Sequence, residues 1–591
     1  MTDANVSGSR QSMETNKLKR GMRLRDLYFA GLTAVIGSGW LFGSYETASV
    51  AGPASILSWI VGGIFILIIA LAWSEISTSV PIAGGAARYA NFTHGGIAAS
   101  IIAWSTILTY IAVPAVEAVA VVQILQGAVG FYAPASTLTL VNSSGIPSYY
   151  GVIVAVAFSL AFFYVNFIGL KGLIKTNFGM TIWKLVIPPI AVILLLIFGL
   201  QHGFGVNFTS GGKGFAGFAP YGIDPIFSAL PTTGVVFAFL GFRQPVEMAA
   251  EAKSPGSDIW KALVAVVLTG IGIYTLLEVA FIGSINFSSS AFGTTGVAKY
   301  AWNGLSTSLP MFTFPFFYES VGLGLGALGV VLVIDGVVSP TGTLSQYMGS
   351  TSRVLYGTAK EGYLSSGFFR VSPKSRIPVL GLVTTFIVTV ILLVAAAVGY
   401  LVSSIGGAWS ALTSIVTTTG VFSYIIGPVA LVAFRKSHPK LKRPFVLRGH
   451  SIIGVLAFII SGLLIYWGAG GLNVPKTDPY GGYILLVIIL IGFILYGYAK
   501  DRNFAKDLRS GLWVIVLLLF NMVLLTIGEF SPFPKLATLL VIPGHATIPV
   551  DWFIDIVASI LFYLWAVRSA FPDEEIRKAI DNSISLTEGT D

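Results

Sequence analysis

Glycines inside an apolar run raise the first question of chemistry. The stretch AVIGSGWLFG, residues 34–43, places Gly37, Ser38 and Gly39 in the middle of the first long hydrophobic segment, with Gly43 one turn further on. Glycine in a helix interior costs about 1 kcal/mol relative to alanine, and unpaired backbone is most costly at the centre of a bilayer. Residues 27–36 would form about 15 Å of helix and residues 40–51 about 18 Å, at 1.5 Å per residue. The glycines therefore fall near the middle of a hydrocarbon layer about 30 Å thick. A break there exposes the last carbonyls of one half-helix and the first N–H groups of the next. The N–H end suits a carboxylate, and the carbonyl end suits an ammonium or another cation. One break thus offers both halves of a zwitterion site. Close helix packing through small residues is the other use of such glycines.

A second concentration of polarity lies at residues 237–256, FAFLGFRQPVEMAAEAKSPG, where Gly241 is followed at once by Phe242, Arg243, Gln244 and Pro245 inside an apolar run. Arg243 is a functional candidate by its depth alone. It suits a bidentate grip on an acidic side chain, or an internal pairing, since Arg243, Glu247 and Glu251 recur at i, i+4 spacing on one helical face. Single ionisable residues sit in other apolar runs: Glu117 just after Pro114, Lys184 in TIWKLVIPP, and Asp335. A lysine at such depth is a proton carrier, because apolar surroundings disfavour its charged form, or a side chain snorkelling to the interface. Glu117 and Asp335 are proton carriers or packing groups held by hydrogen bonds. Glu46 lies one to two turns beyond the first break. The hydroxyls of SPTGTLS, residues 339–345, are potential sodium ligands.

The elements that position these residues are membrane helices. Of 591 residues, 55% are hydrophobic and 10% charged, and the mean hydropathy is +0.83. A soluble domain carries about 25% charged residues, so an all-α polytopic membrane protein is expected. Fourteen runs are long enough to span, near 25–52, 54–80, 96–129, 150–170, 180–201, 228–252, 258–284, 319–345, 377–402, 406–434, 451–469, 482–498, 511–528 and 549–568. The third is long for one crossing and suggests a tilted helix. With the N-terminus inside, only Lys213, Lys299, Lys476 and Lys535 of the 35 Lys and Arg fall in outside loops, so both termini are expected in the cytoplasm. Residues 1–21 are polar and lack the apolar core and cleavage site of a secretory signal. Asn142, Asn207 and Asn286 begin N-x-S/T triplets in outside loops. The broken first and sixth runs have opposite orientation, as two inverted five-helix repeats require.

Several stretches in order resemble the amino acid–polyamine–organocation (APC) superfamily of permeases: GLTAVIGSGWLFG in the first run, AWSEISTSVPIAGGAARYA at 72–90, AAEAKSPG at the end of the sixth run and TSRVLYGTAKEGYLS at 351–365. Together they span residues 22–434. The resemblance implies a LeuT-like five-plus-five inverted repeat over 22–434, broken in helices 1 and 6. Four further transmembrane helices would follow over 435–568, with cytoplasmic tails at 1–21 and 569–591. It implies substrate between helices 1, 3, 6 and 8. The backbone of Ile36, Gly37, Ser38 and Gly39 would hold a carboxylate and carbonyls near Phe237 to Leu240 an ammonium, with Gly241 and Arg243 adjoining and Phe239 and Phe242 as aromatic gates. Lys184 resembles the fifth-helix lysine that stands where sodium sits in relatives.

The expected function is secondary active transport of amino acids by alternating access, as a proton symporter in which Lys184, Glu117 and Asp335 would carry the coupling, with a weak preference for acidic substrates. Sodium symport and amino acid exchange are alternatives within the fold. A membrane enzyme would need a nucleophile, base or metal cluster, and a channel a pore loop or charge ring; neither pattern is visible. There is no cysteine, which excludes thiolate chemistry. GLGALG, residues 324–329, fits G-x-G-x-x-G but lies in an apolar run without a preceding soluble strand. His94, His202, His438, His450 and His545 fall in loops or span ends without metal-ligand spacing, and no Walker motif appears. No cofactor or metal is expected. The expected partners are an amino acid, a proton or sodium, and the lipid bilayer, not nucleic acid.

Overall fold

The computed structural model describes residues 20–142, 145–168, 170–202, 204–210, 212–287, 299–307, 313–373, 377–397, 408–473, 479–498, 503–533, 536 and 549–588. The expected tail 1–21, save its last two residues, lies outside them, as do Lys476, Lys535 and His545. Among the described residues the chain is helical, with two isolated β-bridges and no strand.

The principal helices are α1 Leu24–Val35, α2 Ser38–Ala51, α3 Ser55–Ser79, α4 Gly85–Tyr132, α5 Tyr149–Phe167 and α6 Leu170–Gly199. Next come α7 Asp224–Thr232, α8 Val235–Phe239, α9 Gln244–Glu247, α10 Pro255–Ser284, α11 Pro315–Gly322, α12 Gly326–Lys360 and α13 Val379–Ala397. The remainder are α14 Ala408–Tyr424, α15 Ile426–Ser437, α16 His450–Gly470, α17 Gly481–Leu490, α18 Phe504–Ile527, α19 Val550–Ser569 and α20 Asp573–Glu588. Among the described residues, twelve helical stretches are long and apolar enough to cross a membrane, or 13 when the bent pair Asp224–Thr232 and Val235–Glu247 is counted as one span. This is a polytopic membrane protein. The tally differs from fourteen runs because one stretch, Ser38–Ser79, joins residues of the first two runs through the turn at Gly52.

Packing puts the polar stretches at the centre. α12 lies along α4, α10 along α3, and α1 is enclosed by α6, α10 and α12. One hydrophobic cluster runs through nearly all of these helices. The long third run is a helix preceded by an arm: Gly95 (φ +74°) turns the chain inside Gly85–Tyr132. His94 is buried at that kink rather than in a loop, with its Nε2 2.8 Å from the Ala566 carbonyl. Asn207 is buried too, donating to the carbonyls of Ile282 (2.9 Å) and Ile285 (2.8 Å). It is therefore a packing residue, not a glycan acceptor.

The sharpest bend in the sixth run is not at Gly241. It lies at Gly234 (φ +87°), where α7 and the stretch Val235–Glu247 meet at 55°. Residues Leu240–Arg243 form a tight 3-10 turn instead. A left-handed residue reverses the local helix path and glycine alone adopts it without strain, whereas Arg243 and Pro245 fit a helical backbone.

Ion pairs close one end of the molecule, here termed the basic end. Glu75 takes both a 2.7 Å and a 2.6 Å bond from Arg435 and lies 3.4 Å from Arg443. Arg353 pairs with Glu251, and Arg88 bonds Glu361 at 2.6 Å. α20 docks there, with Ile576 and Ile580 buried. The start of α1 is tied to the same end. Gly21 and Met22 donate their N–H groups to the Glu251 carbonyl at 2.9 and 3.0 Å, and Lys253 donates to the Met22 carbonyl at 2.8 Å.

Candidate functional site

α1 ends at Val35 and α2 begins at Ser38, so the interruption falls on Ile36 and Gly37, both buried. The two faces of the gap are not empty. On the N–H side, Ser38 donates its backbone N–H to Glu117 Oε2 at 2.9 Å, a carboxylate set on the N-terminus of α2. That placement combines a charge-assisted hydrogen bond with the positive end of the helix dipole. Glu117 Oε1 has no hydrogen-bond partner. On the carbonyl side, Lys184 Nζ donates to the Thr33 carbonyl at 2.6 Å and to Thr343 Oγ1 at 3.2 Å. Thr343 Oγ1 donates to the same Thr33 carbonyl at 2.8 Å. Lys184 is fully buried, so snorkelling does not describe it.

The glycines set distances rather than merely unwinding backbone. A Cβ on Gly37 would sit 2.5 Å from Thr343 Oγ1 and 2.7 Å from Glu117 Oε1. One on Gly39 would lie 2.7 Å from Ala238 Cβ, and one on Gly241 would lie 2.5 Å from the Ala34 carbonyl carbon and 2.6 Å from Val35 N. The first and sixth runs therefore touch backbone to backbone around the gap. Tyr274 of α10 joins them: its hydroxyl is 2.7 Å from the Val35 carbonyl and 3.3 Å from the Ala238 carbonyl.

The aromatic residues divide their work. Phe237 packs edge-on against Trp409, whose Nε1 donates to Ser38 Oγ at 2.9 Å. Phe239 packs against Tyr274, and Phe242 against Tyr424. Tyr424 in turn donates to the Leu240 carbonyl at 3.2 Å. All three phenylalanines are buried, and Phe237 at 6% is the least so.

Arg243 stands apart from the gap. Its guanidinium pairs with Glu247 at 3.1 Å, donates to Ser423 Oγ at 2.9 Å and lies over the rings of Tyr424, Trp73 and Tyr110. Glu251 does not share this pairing, contrary to the helical-face expectation. The helix gives way after Glu247 to the turn Ala249–Glu251, and Glu251 turns to Arg353. Asp335 accepts from Trp183 Nε1 at 2.7 Å and Ser339 Oγ at 2.9 Å, without a bond to Lys184. Glu46 accepts from Ser410 at 3.0 Å.

Sequence reasoning overlooked several members of this centre. Thr33, Tyr274 and Trp409 carry no signal in an apolar run, where hydroxyls and aromatics are ordinary. Glu278 and Glu319 did carry one. Glu278 accepts from Trp59 Nε1 (2.9 Å) and from Ser55, Glu319 accepts from Ser284, and both are fully buried. An acidic residue inside an apolar run was the same cue that picked out Glu117 and Asp335.

The buried centre of this multi-pass helical protein thus sets backbone N–H and carbonyl groups beside a lysine and a glutamate. The chain belongs to the amino acid permease family of the APC superfamily, whose profile matches residues 23–493. The glutamate/serine transporter AimA of Bacillus subtilis (strain 168) is 33% identical over 580 residues, covering 97% of this chain and 98% of that protein. The aspartate-proton symporter of the same organism is 31% identical over 564 residues, covering 94% and 98%. The branched-chain amino acid permease BcaP, also from that organism, is 26% identical over 504 residues, covering 83% and 94%. Family and relatives are transporters, not enzymes.

Proposed function

We propose that this protein is a proton-coupled symporter of amino acids, working by alternating access in a five-plus-five inverted repeat interrupted in its first and sixth helices. The observation that carries the reading is the pair of internal charges at the gap. Glu117 lies on the N–H side and Lys184 on the carbonyl side. A zwitterionic substrate brings its own carboxylate and ammonium to the same kinds of backbone group. Its carboxylate competes with Glu117 for the N-terminus of α2 at Gly37, Ser38 and Gly39. Its ammonium is received by carbonyls between Phe237 and Leu240, under the rings of Phe237, Phe239 and Phe242. A displaced Glu117 is left in an apolar site, where a proton offsets its charge. Lys184, and Asp335 beyond it, supply or receive that proton.

Proton coupling is favoured over sodium coupling by what surrounds Lys184. The Thr33 carbonyl and Thr343 hydroxyl are oxygen donors suited to a cation, and the ammonium already holds both. Acidic substrates are favoured because the two most similar relatives named above carry glutamate or serine, and aspartate with a proton. In this reading Arg243 exchanges Glu247 for the substrate's side-chain carboxylate.

The test is uptake into proteoliposomes with labelled aspartate, glutamate, serine, leucine and arginine, driven by a pH gradient or by a sodium gradient at fixed pH. The expected outcome is pH-driven uptake led by the acidic substrates, lost in Lys184→Ala while exchange survives. Uptake that follows the sodium gradient refutes the coupling assignment. A preference for leucine or arginine refutes the substrate assignment.

A further inference from the structure

The last four helices contain a polar seam that the transport centre does not use. On α19, Asp551, Asp555, Ser559 and Tyr563 recur every fourth residue, which places them on one helical face. α19 packs on α16, α18 and α15. The two aspartates have opposite surroundings. Asp551 accepts from the Tyr466 hydroxyl at 2.5 Å, from the Glu529 N–H at 2.8 Å and from the Trp552 N–H at 3.1 Å. Asp555, one turn along, is fully buried, and neither of its oxygens has a hydrogen-bond partner.

A second buried group points to the same place. The Ser559 hydroxyl is fully buried and unpartnered. A Cβ on Gly462 of α16 would come within 2.2 Å of Ser559 Oγ and 3.3 Å of Asp555 Oδ2. Both side chains therefore press on one glycine of the facing helix. The titratable groups around the seam are Asp551, Tyr466 and Tyr563, with Glu529 and Asp224 beyond Asp551. From α18 the buried polar residues are Asp507, which lies against Gly95 and Gly96 at the kink, Ser510 and Asn521. The charged residues of α15, Arg435 and Lys436, are held at the basic end by Glu75 and Asp573. Among the described residues, no Lys, Arg or His pairs with Asp551 or Asp555.

An ionised carboxylate at Asp555 would have given up its water with no donor and no cation in return, the costliest arrangement for a buried charge. A carboxylic acid is neutral, and its O–H needs only an acceptor oxygen nearby. We propose that Asp555 is a proton-binding site, distinct from the transport centre, whose proton lets α19 close on the glycine face of α16. The proton adds to one carboxylate oxygen of Asp555, with Ser559 facing the same glycine and Asp551 one turn away on α19. The site is one helix away from the centre. On its other side α16 meets α14 and α7, where a Cβ on Gly468 would lie 2.4 Å from Thr418 Oγ1 and one on Gly471 2.2 Å from Thr232 Cγ2.

Infrared difference spectra between the parent and Asp555→Asn, both in proteoliposomes at neutral pH, read the protonation state directly. The expected difference is loss of a carboxylic acid carbonyl band, with the carboxylate bands unchanged and no response to added sodium. Loss of carboxylate bands, or a parent band that moves when sodium is added, overturns the proposal, since the site would then hold a bare charge or a metal cation. Should Asp555→Asn fail to fold, Ser559→Ala replaces it. That variant removes the polar hydroxyl that meets Gly462 beside Asp555 and is expected to shift the acid carbonyl band, and an unmoved acid region overturns the assignment.

Discussion

Replacing Gly241 by alanine tests whether backbone contact between the first and sixth runs positions the centre. The added Cβ would lie 2.5 Å from the Ala34 carbonyl carbon and 2.6 Å from Val35 N. Ordinary contact begins at 3.4 Å, so the two segments must part by about 0.9 Å. Neither neighbour is a flexible side chain that can swing away. Forcing a methyl group into such packing costs about 1–3 kcal/mol. At 1.4 kcal/mol per tenfold, a cost falling on the substrate-bound state weakens affinity by about 5- to 150-fold. The assay is binding of labelled substrate to purified protein, with thermal unfolding followed alongside. Gly272→Ala is the control, since Gly272 is exposed on α10 with nothing within 4 Å of an added Cβ. It is expected to bind as the parent does and to gain up to about 1 kcal/mol from helix propensity. If Gly241→Ala binds and melts like Gly272→Ala, the close approach is not what shapes the site.

Two further outcomes follow from buried partners. Tyr274→Phe withdraws the hydroxyl that reaches the Val35 and Ala238 carbonyls; a lower melting temperature is expected, from a loss of about 1–3 kcal/mol for a buried acceptor left unpaired, together with reduced uptake. An unchanged melting curve and uptake rate would sink that role. Arg353→Gln leaves Glu251 buried without its partner, at a cost of about 3–5 kcal/mol. The double variant Glu251→Gln with Arg353→Gln should regain most of that stability in thermal unfolding, and a double variant no better than the single contradicts the pairing.

What could be read from the sequence was local. A Gly-Ser-Gly triplet in an apolar run announces itself, because glycine is costly in a helix and costlier in a membrane. The i, i+4 spacing of Arg243 and Glu247 likewise carries its own geometry. What escaped was set by distant parts of the chain. Glu251 carried the same spacing, yet its partner Arg353 lies 102 residues on, beyond anything helical periodicity reports. Gly234 was passed over because the nearby Arg243 and Pro245 drew attention, although the positive φ belongs to the glycine. The identity of the groups at the gap was also hidden. Glu117 and Lys184 stood out as depth-anomalous charges, but which oxygen and which N–H each would meet depends on how α4, α6 and α12 converge.

The tether between Met22 and the Glu251–Lys253 backbone has a mechanical consequence. α1 is held at two places, by Gly241 beside the gap and by the Glu251–Lys253 backbone at its far end. A strut fixed at both ends to the same neighbour does not pivot alone. In the alternating-access reading proposed above, the start of α1 and the end of the sixth run would swing together about the gap at Ile36 and Gly37. With 12 residues in α1, the lever arm is about 18 Å at 1.5 Å per residue. A rotation of about 15°, the size seen in large allosteric transitions, carries its free end through about 5 Å. In that reading the stroke would be about one helix turn and would draw Glu251 away from Arg353.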